Sequence, residues 1–337
     1  MKDHESDRAA VEKAGDRGRL HNVLVGVLLG GGAIVTALTL AGFLGRAWWR
    51  FDLMAHFRLQ YLLCLWAVAL GLAALRRFRL AGLAVLVSLI NLALVAPLYL
   101  GSPHDGPGRG PGEGRLRLRA VSVNVSRSNK NHEAVRGLVR REDPDFLLVM
   151  EFTERWLDDL SDLTSTYPHV IGRPRAGHFG IALFSKHPFA SADIEHIGPK
   201  GLPSIVARVD LGDRELTLIG THPRPPTSPN GARARNAHLA AIAERVQPLE
   251  PPVLLLGDLN VTPFSPYFHR LLDESGLRDS SPGHGYQPTW PTYAPGFLIP
   301  IDHCLYSPGI RIADRRIGPD IGSDHLPLIV DFELVGR

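Results

Sequence analysis

The stretch Val253-Leu-Leu-Leu-Gly-Asp-Leu-Asn260 combines a short apolar run with two polar residues at its end. Four apolar residues followed by Gly257 predict a buried strand that ends here. Because side chains alternate along a strand, Asp258 and Asn260 point to the same side. A carboxylate and a carboxamide placed together can bind a metal ion or a phosphate, but an Asx turn that closes the strand explains the pattern equally well. Partners elsewhere in the chain must decide between the two.

The composition is that of a folded chain with long apolar segments near one end. Of the 337 residues, 45% are hydrophobic, and the formal net charge is +3. This charge is too small to indicate a nucleic-acid binder, and arginines beside membrane segments explain the pI near 9.0 equally well. Cys64 and Cys304 are the two cysteines. They lie far apart in the sequence, and one is inside an apolar segment, so a disulfide framework is not expected.

Three apolar segments, residues 22–45, 59–75 and 80–100, predict transmembrane helices. Spanning a bilayer takes about 20 apolar residues, a length that the second segment only just approaches. A cleaved signal peptide is the alternative for the first segment, but no clear small-x-small cleavage site is visible and two further apolar runs follow. We therefore expect a cytoplasmic tail at 1–21 and a membrane anchor at 22–100.

The arginines beside these segments predict the orientation of the anchor. Arg76, Arg77 and Arg79 crowd the short turn between the second and third segments, and such turns lie in the cytoplasm. The chain after Leu100 is then extracytoplasmic, although the first loop is also basic.

A Gly/Pro-rich linker at 101–114 leads to a predicted soluble domain at 115–337. Residues 115–125 alternate as in a strand with one buried face, and Gly212-Asp213 predicts a hairpin. Strands dominate, helices are interspersed, and no regular strand–helix–strand repeat appears. The expected fold is α/β (α+β), with a core of two sheets and helices packed outside it. The helices are predicted at 132–141, 154–163 and 232–246.

Polar residues recur at the ends of the predicted strands. Each one alone is explained by a capped turn, a solvated acid or a loop histidine. Together, carboxylates and amides supply the hard oxygen ligands that Mg²⁺ or Mn²⁺ prefers, and two histidines can move protons or donate to a phosphate. The set predicts metal-assisted attack of water on a phosphoester. It comprises Asn124, Glu151, His222, Asp258 with Asn260, Asp302, and Asp324 with His325.

These residues, in this order, resemble the endonuclease/exonuclease/phosphatase superfamily over about residues 115–335. The resemblance implies a four-layered α/β sandwich of the DNase I-like type and a Mg²⁺-dependent hydrolase of phosphoester or diphosphate bonds. The matched stretches are Asn124, Glu151, Gly180-Ile-Ala-Leu-Phe-Ser-Lys-His-Pro188, Thr221-His222, Gly257-Asp-Leu-Asn260, Ile301-Asp-His303 and Gly322-Ser-Asp-His325.

The resemblance also implies which residues bind the metal ion and the phosphate. Glu151 would be the principal metal ligand, with Asn124 beside it and Asp324 as a second acid on the metal side. Asn260 would hold the phosphate, and His222 would contact it.

The remaining matched residues would carry the proton chemistry. Asp258 would orient or deprotonate the attacking water. His325 would donate to the developing charge or act as acid and base, and Asp302 would orient His325. His303 stands where many members have a different residue, so it is given no role and is interpreted as structural.

The identity of the substrate is less constrained. Arg224, Arg233 and Arg235 follow His222 and either bind a terminal or pyrophosphate group or form a solvated helix face. The soluble part has no dense Lys/Arg run interleaved with aromatic residues, so nucleic acid is not expected as a partner. A membrane tether instead favours a lipid-borne substrate. The loops 264–268 and 286–297 contain aromatic residues that either form an apolar lip or pack in the core.

Membrane-anchored bacterial members of the VanJ type, which confer teicoplanin resistance, are similar in layout. That similarity implies hydrolysis of undecaprenyl pyrophosphate by a multi-pass protein of the bacterial cell membrane, with the catalytic domain outside. An extracytoplasmic nuclease and a catalytically silent binding or adaptor domain are the alternatives. The oligomeric state is open.

Overall fold

The computed structural model describes residues 2–101, 116–199 and 201–335, with the side chains of 2–17 excepted. The predicted linker at 101–114 therefore lies outside the described residues, apart from Gly101. Within the described ranges, a group of N-terminal helices precedes two six-stranded sheets. The α-helices are α1 (Lys2–Ala41), α2 (Trp49–Ala55), α3 (Arg58–Ala74), α4 (Phe78–Val95), α5 (His132–Glu142), α6 (Glu154–Asp159), α7 (Pro229–Val246) and α8 (Pro266–Ser275).

The two sheets share one plan. The first has the strand order β11-β12-β1-β2-β4-β3 and the second β5-β6-β7-β8-β10-β9. Each sheet has one parallel pair at its centre, β1 with β2 and β7 with β8, and antiparallel pairs elsewhere. The strands are β1 (Leu116–Asn124), β2 (Phe146–Met150), β3 (His169–Arg173), β4 (Ile181–Ser185), β5 (Phe189–Ile197), β6 (Leu202–Asp210), β7 (Glu215–Gly220), β8 (Val253–Asp258), β9 (Arg278–Asp279), β10 (Asp302–Tyr306), β11 (Ile310–Ile317) and β12 (Leu328–Leu334).

The main hydrophobic core lies between the two sheets. Leu148 and Val330 of the first sheet and Leu218 and Leu254 of the second are fully buried in one cluster. Helices α5 and α6 cover the outer face of the first sheet, and α7 and α8 cover that of the second. The order of layers is helix, sheet, sheet, helix. The predicted four-layered α/β sandwich is therefore confirmed.

The structure differs from the sequence prediction where a second layer covers a strand. From Ala120 to Asn124 every residue of β1 is buried, not every second one. The outward-facing residues Val121 and Val123 pack under α5 and α6, so this strand has two buried faces. The predicted helix at 154–163 is divided into α6 and a 3₁₀ turn at Ser161–Ser165. Strands β3 and β5 were not predicted because their apolar alternation is weak.

The N-terminal helices contain two segments long and apolar enough to cross a membrane. These are Gly18–Leu44 and Phe78–Leu98, each with a mean hydropathy of 2.3. A third span is obtained only if α2 and α3, which meet at a bend of 65°, count as one. Helix α3 alone has 17 residues and is about 26 Å long, slightly less than a hydrocarbon core of about 30 Å. The three-helix anchor at 22–100 stays a prediction.

The helical segment and the sandwich share a buried interface. Helix α2 contacts α7 through an ion pair between Asp52 and Arg235. His56 Nδ1 lies 2.9 Å from Thr262 Oγ1, and Leu98 joins Phe264 in a small apolar cluster. The N-terminal helices therefore pack against the loop that follows β8.

Candidate active site

The parallel pairs bring the polar strand ends to one edge of the sandwich. Asn124 ends β1, and Glu151 follows the last residue of the neighbouring β2. His222 follows β7 by two residues, and Asp258 ends the parallel β8. Residues that follow parallel strands meet at the same edge because the strands point the same way. Asp302 joins them because β10 runs antiparallel to β8, with Asp302 opposite Asp258.

The opening motif forms a turn and a site at once. The backbone N–H of Asn260 donates to Asp258 Oδ1 at 2.9 Å, which is an Asx turn. The other carboxylate oxygen, Oδ2, faces the edge of the sandwich where the polar strand ends meet, which we call the rim. Gly257 is required here because a Cβ would lie 1.9 Å from the carbonyl oxygen of Thr221. The two interpretations of the motif are therefore compatible.

Three side chains surround Asp258 Oδ2. His222 Nε2 lies 3.3 Å from it, His325 Nε2 lies 3.6 Å from it, and Asn124 Nδ2 donates to it at 3.4 Å. Burial alone would raise the pKa of Asp258, but His325 and the hydrogen bond from His222 outweigh burial and lower it. Burial would likewise lower the pKa of His222, yet Asp258 and Glu151 raise it. The cluster thus favours a carboxylate between imidazolium groups.

His325 is held by a second carboxylate. Its Nδ1 lies 2.9 Å from Asp302 Oδ2. Burial lowers the pKa of His325, but the charges of Asp302 and Asp258 outweigh it and raise the pKa to about 9. The hydroxyl of Ser323 accepts from the His325 N–H at 3.1 Å and donates to the Asn124 carbonyl at 2.7 Å. This hydroxyl therefore ties the His325 loop to the end of β1.

Glu151 lies at the outer side of the cluster in a network that the sequence did not reveal. Its Oε2 accepts from the backbone N–H of Arg127 at 2.9 Å, and its Oε1 lies 3.0 Å from His178 Nδ1. The side chain of Arg127 in turn donates to His178 Nε2 at 3.1 Å. Arg127 and His178 are on loops without periodicity. The available signal was the position of His178, two residues before the matched stretch that begins at Gly180.

Asn260, Asp324 and Arg224 occupy the rim with partners of their own. Asn260 Nδ2 donates to the Pro223 carbonyl at 3.0 Å, and Asp324 Oδ2 accepts from the Trp290 indole at 3.3 Å. The guanidinium of Arg224 lies 5.1 Å from the ring centroid of Phe179. The roles given to these three residues by the resemblance stay predictions.

Arg235 corrects one sequence interpretation. It is neither a phosphate ligand nor part of a solvated helix face, because it is completely buried and ion-paired with Asp52. Its partner comes from a segment 183 residues earlier, which no local pattern reveals. His303, given no role, is also buried and hydrogen-bonds to the Val261 carbonyl at 2.7 Å.

The donor set fits a divalent cation. Potential ligand atoms of Asp258, Asp302 and His325 lie within 4.8 Å of one another, and while His325 is protonated only the two carboxylates can bind a cation. Among the described residues, Asp302 Oδ1 is a buried acceptor without a hydrogen-bond partner, which is costly unless a cation or another donor binds. His222 Nδ1 is buried without a partner as well, but in an imidazolium it is an N–H donor and does not bind a cation. Carboxylate oxygens suit Mg²⁺ or Mn²⁺. This trio differs from the sequence-predicted ligands Glu151, Asn124 and Asp324, and the hydrogen bond from Asn124 to Asp258 connects the two sets.

Solved structures with the same fold have little sequence identity to this chain. Truncated TDP2 from Caenorhabditis elegans superposes with a TM-score of 0.53 at 18% identity, covering 65% of this chain and 98% of that one. An endonuclease/exonuclease/phosphatase from Bacteroides vulgatus gives 0.55 at 16%, covering 65% and 100%. The catalytic domain of human Nocturnin, with bound sulfate, gives 0.52 at 16%, covering 66% and 97%. No curated protein matches the sequence.

The family assignment follows from a sequence model as well as from the fold. The model described as "Endonuclease/Exonuclease/phosphatase family" matches residues 121–325, which is more than half of the chain. The matched range begins in β1 and ends at His325. It therefore contains every residue of the rim cluster, by which we mean Asn124, Glu151, His222, Asp258, Asp302 and His325. The chain therefore belongs to the endonuclease/exonuclease/phosphatase family, whose members are hydrolases that act on phosphoester bonds.

Proposed function

We propose that this protein is a membrane-anchored, Mg²⁺-dependent phosphoesterase that hydrolyses a lipid-linked phosphate or pyrophosphate on the extracytoplasmic face of a bacterial membrane. The observation that carries this proposal is a loop, residues 289–299, that joins the rim cluster to the anchor. We call it the aromatic loop.

The aromatic loop contacts the cluster at one end. The ring centroid of Trp290 lies 6.5 Å from that of His325, and its indole donates to Asp324. At the other end, Phe297 packs edge-on against Phe57 of the anchor at 6.2 Å, and Gln60 Nε2 donates to the Leu298 carbonyl at 2.8 Å. A substrate anchored in the bilayer would meet the loop on its way to the cluster.

The surface of this loop suits contact with lipid. Tyr293 is 72% exposed and Phe297 is 64% exposed, and Phe297 contacts Phe57 of the N-terminal helices. Aromatic side chains favour the boundary between water and hydrocarbon. The apolar lip considered from the sequence thus has a specific candidate.

The contacts of the helices support the proposed orientation. Gly45, which follows α1, approaches Pro266 of the sandwich, and the Gly285 N–H donates to the Leu98 carbonyl after α4 at 2.6 Å. The basic turn at 76–79 lies at the opposite end of α3 and α4. If that turn is cytoplasmic, the sandwich is outside. A fusion of alkaline phosphatase after Gly114 should be active, and an inactive fusion would contradict this orientation.

The residues of the rim have complementary roles in hydrolysis. Asp258 is ionised at neutral pH because its pKa is lowered, so Oδ2 can accept a hydrogen bond from the attacking water and orient it. His222 and His325, both favoured as imidazolium, donate to the oxygens on which charge develops. Asp302 keeps His325 Nδ1 protonated and directs Nε2 toward the substrate.

The metal ion and the phosphate complete the site. A bound divalent cation would neutralise phosphate charge and polarise the bond that breaks. The carboxylates of Glu151, Asp258 and Asp302, with the amide oxygen of Asn124, would hold it. Asn260 would bind the phosphate through its second amide hydrogen, since the first is used by Pro223.

A release assay tests the proposal directly. The full chain in detergent should release phosphate from a prenyl pyrophosphate in the presence of Mg²⁺, and EDTA should abolish release. Asp258→Asn serves as the inactive control. Parallel assays use a phosphoinositide, sphingomyelin and supercoiled plasmid. Plasmid nicking without lipid turnover would replace the proposal with a nuclease, and no turnover of any substrate would leave a silent binding domain.

The aromatic loop provides a sharper arm of the same test. Tyr293→Ser with Phe297→Ser should lower turnover of prenyl pyrophosphate in detergent micelles and leave turnover of a water-soluble phosphodiester unchanged. Equal losses on both substrates would remove the argument for a lipid substrate. If a cell-wall lipid is turned over, deletion of the protein should alter glycopeptide susceptibility, as the VanJ-type resemblance implies.

A further inference from the structure

We infer that the anchor supplies a positioning residue to the active site: Asp52, acting through Arg235, fixes the backbone of Asn260. The inference rests on the proposed function in that Asn260 is taken to bind the phosphate. It goes further because it makes helix α2, which carries Asp52 between the first two apolar segments, part of the catalytic unit and not only part of a tether.

The joint between anchor and sandwich is a buried, fully paired charge cluster. Asp52 and Arg235 are 1% and 0% exposed, respectively, and form an ion pair. The second oxygen of Asp52 accepts from the Ser265 hydroxyl at 2.6 Å. Arg235 Nε donates to Asn236 Oδ1 at 2.7 Å, and its guanidinium lies 5.6 Å from the ring centroid of Tyr267.

The remaining nitrogen of Arg235 reaches the active-site loop. Its Nη1 donates to the carbonyl of Asn260 at 2.8 Å. The N–H of Asn260 is held by Asp258 Oδ1 at 2.9 Å. One residue of the rim is therefore gripped on both of its backbone groups, by the proposed catalytic carboxylate on one side and by the anchor-paired arginine on the other.

The conformation of Asn260 explains why such a grip is needed. Its φ is +51°, in the left-handed region, which side chains other than glycine rarely adopt. A backbone in this region persists when surrounding contacts hold it. A planar guanidinium with fixed donors is suited to hold a carbonyl and a carboxylate at the same time. Asp52 sets the orientation of that guanidinium, and so the direction in which the Asn260 amide points.

Stability alone does not account for the pair. Replacing a buried ion pair by apolar side chains of similar volume is often neutral or stabilising, so a purely structural joint between two regions does not need charge. What the charge adds here is directed hydrogen bonding to Asn260. A sandwich without the anchor would keep Arg235 but lose Asp52.

A double-mutant cycle in the full chain tests this inference. The four proteins are the wild type, Asp52→Asn, Asn260→Gly and the double variant. Glycine suits the positive φ and removes the carboxamide. The substrate is a water-soluble phosphodiester such as bis(p-nitrophenyl) phosphate with Mg²⁺. We expect Asp52→Asn to lower kcat/KM about tenfold, the scale of a small misplacement, and to have less than a twofold effect in the Asn260→Gly background.

Two further readouts separate positioning from a general structural role. The Mg²⁺ concentration for half-maximal activity should not change in Asp52→Asn, and Asp52→Glu should restore part of the activity. Arg245 lies on the same helix as Arg235 and pairs with Glu195 of β5. Glu195→Gln removes that partner, and because neither residue contacts Asn260 in the bonds described above, it should leave kcat/KM unchanged. If Asp52→Asn does not fold, Arg235→Lys replaces it, because lysine keeps the charge but lacks the fork that reaches two partners.

The possible outcomes distinguish the two claims. Multiplicative losses in the cycle, or no effect of Asp52→Asn, would overturn the inference even if the lipid substrate is confirmed. Turnover of the soluble phosphodiester without turnover of any lipid would overturn the proposed substrate and leave the cycle interpretable. If no substrate is hydrolysed, the same cycle is measured as inorganic phosphate binding by calorimetry with Mg²⁺, and absence of binding or of coupling overturns the inference.

Discussion

Two buried carboxylates, Asp258 at the rim and Asp52 at the joint, have almost the same exposure and opposite surroundings. Each is 1% exposed. Both oxygens of Asp52 are bound to Arg235 and Ser265, and every nitrogen of Arg235 has a partner. Around Asp258, by contrast, the described residues leave His222 Nδ1 and Asp302 Oδ1 buried without partners. His56 Nε2, in the interface that contains the joint, is also buried without a partner, but no atom of Asp52 or Arg235 is. A saturated cluster holds two regions together, whereas an incomplete one is prepared for a ligand.

The charged groups at the joint and at the rim also differ in whether their charge depends on pH. The joint uses a guanidinium, which is charged at any physiological pH. The rim uses imidazoles, whose charge depends on their neighbours: the carboxylates raise the pKa of His325 to about 9 against the effect of burial. Groups that change protonation near neutral pH are suited to a reaction. Groups that keep their charge are suited to a structural joint. Substitutions at the rim should therefore affect mainly the reaction, and substitutions at the joint mainly the stability.

The largest effect is expected from Asp258→Asn. The substitution keeps the shape and the Asx turn but removes the charge that orients water and stabilises both imidazoles as imidazolium. Phosphate release should fall by about 10³-fold, within the range for a positioned acid or base. The temperature of unfolding should also fall, because Asp258 helps to raise the pKa of buried His325, but the protein should stay folded under the assay conditions. A variant that is unfolded under the assay conditions would mean that Asp258 has a structural role like that of Asp52.

The joint should show the reverse pattern. Arg235→Met leaves the Asp52 carboxylate buried without its partner, and the free energy of unfolding should fall by about 3–5 kcal/mol. The double variant Asp52→Leu with Arg235→Met removes both charges and should recover most of that loss. Denaturant unfolding of the full chain measures both. A double variant as unstable as the single one would show that the cost is a packing defect and not an unpaired charge.

A medium effect is expected from Asp302→Asn. If protonated His325 donates to the phosphate, the rate should be constant well below its pKa and fall as the pH rises through about 9. Asp302 contributes most to raising that pKa, so its neutral replacement should move the alkaline limb of the pH–rate profile to lower pH. The maximal rate should drop about tenfold as well. An unmoved limb would assign it to another group.

The same shift has a consequence for stability with a defined sign. The pKa of His325 is raised from 6.5 to about 9 in the folded protein. Its contribution is therefore fully present below pH 6.5 and is lost as the pH rises towards 9. Asp302→Asn should flatten this part of the stability profile, and urea unfolding at pH 6, 7.5 and 9 measures it.

The clustering of the rim residues was largely predictable from the sequence, and their catalytic roles stay predictions. Asp258, Asp302 and His325 each lie at or beside the end of an apolar run, and strand ends meet at one edge of a sheet. The two-sheet core with helices outside it and the hairpin around Gly212 also follow from local patterns, whereas the four-layered sandwich was implied by the family resemblance. The Asx turn of Asp258 is local. The partners of its second oxygen, His222, His325 and Asn124, come from distant parts of the chain, and its role toward water was implied by the family resemblance and stays a prediction.

The joint was not predictable, and the reason is physical. Arg235 lies on an alanine-rich helix whose apolar pattern is weak, and an arginine there is ordinarily solvated. Only the folded N-terminal helices show that Asp52 reaches it. His178 was missed for a related reason: it approaches Glu151 through the shape of two loops, and loop shape is set by tertiary contacts that no residue spacing encodes.

The smallest effect is expected from an ion pair that belongs to neither the rim nor the joint. Arg245 and Glu195 form two hydrogen bonds of 2.8 and 2.7 Å, but their side chains are 33% and 30% exposed. Water screens such a pair, so Glu195→Gln should cost no more than about 1 kcal/mol of unfolding free energy, and less at high salt. Arg245 and Arg235 lie on the same helix with equally good geometry. A loss as large as that of Arg235→Met would mean that burial does not distinguish the two pairs, and the contrast between joint and surface would have to be abandoned.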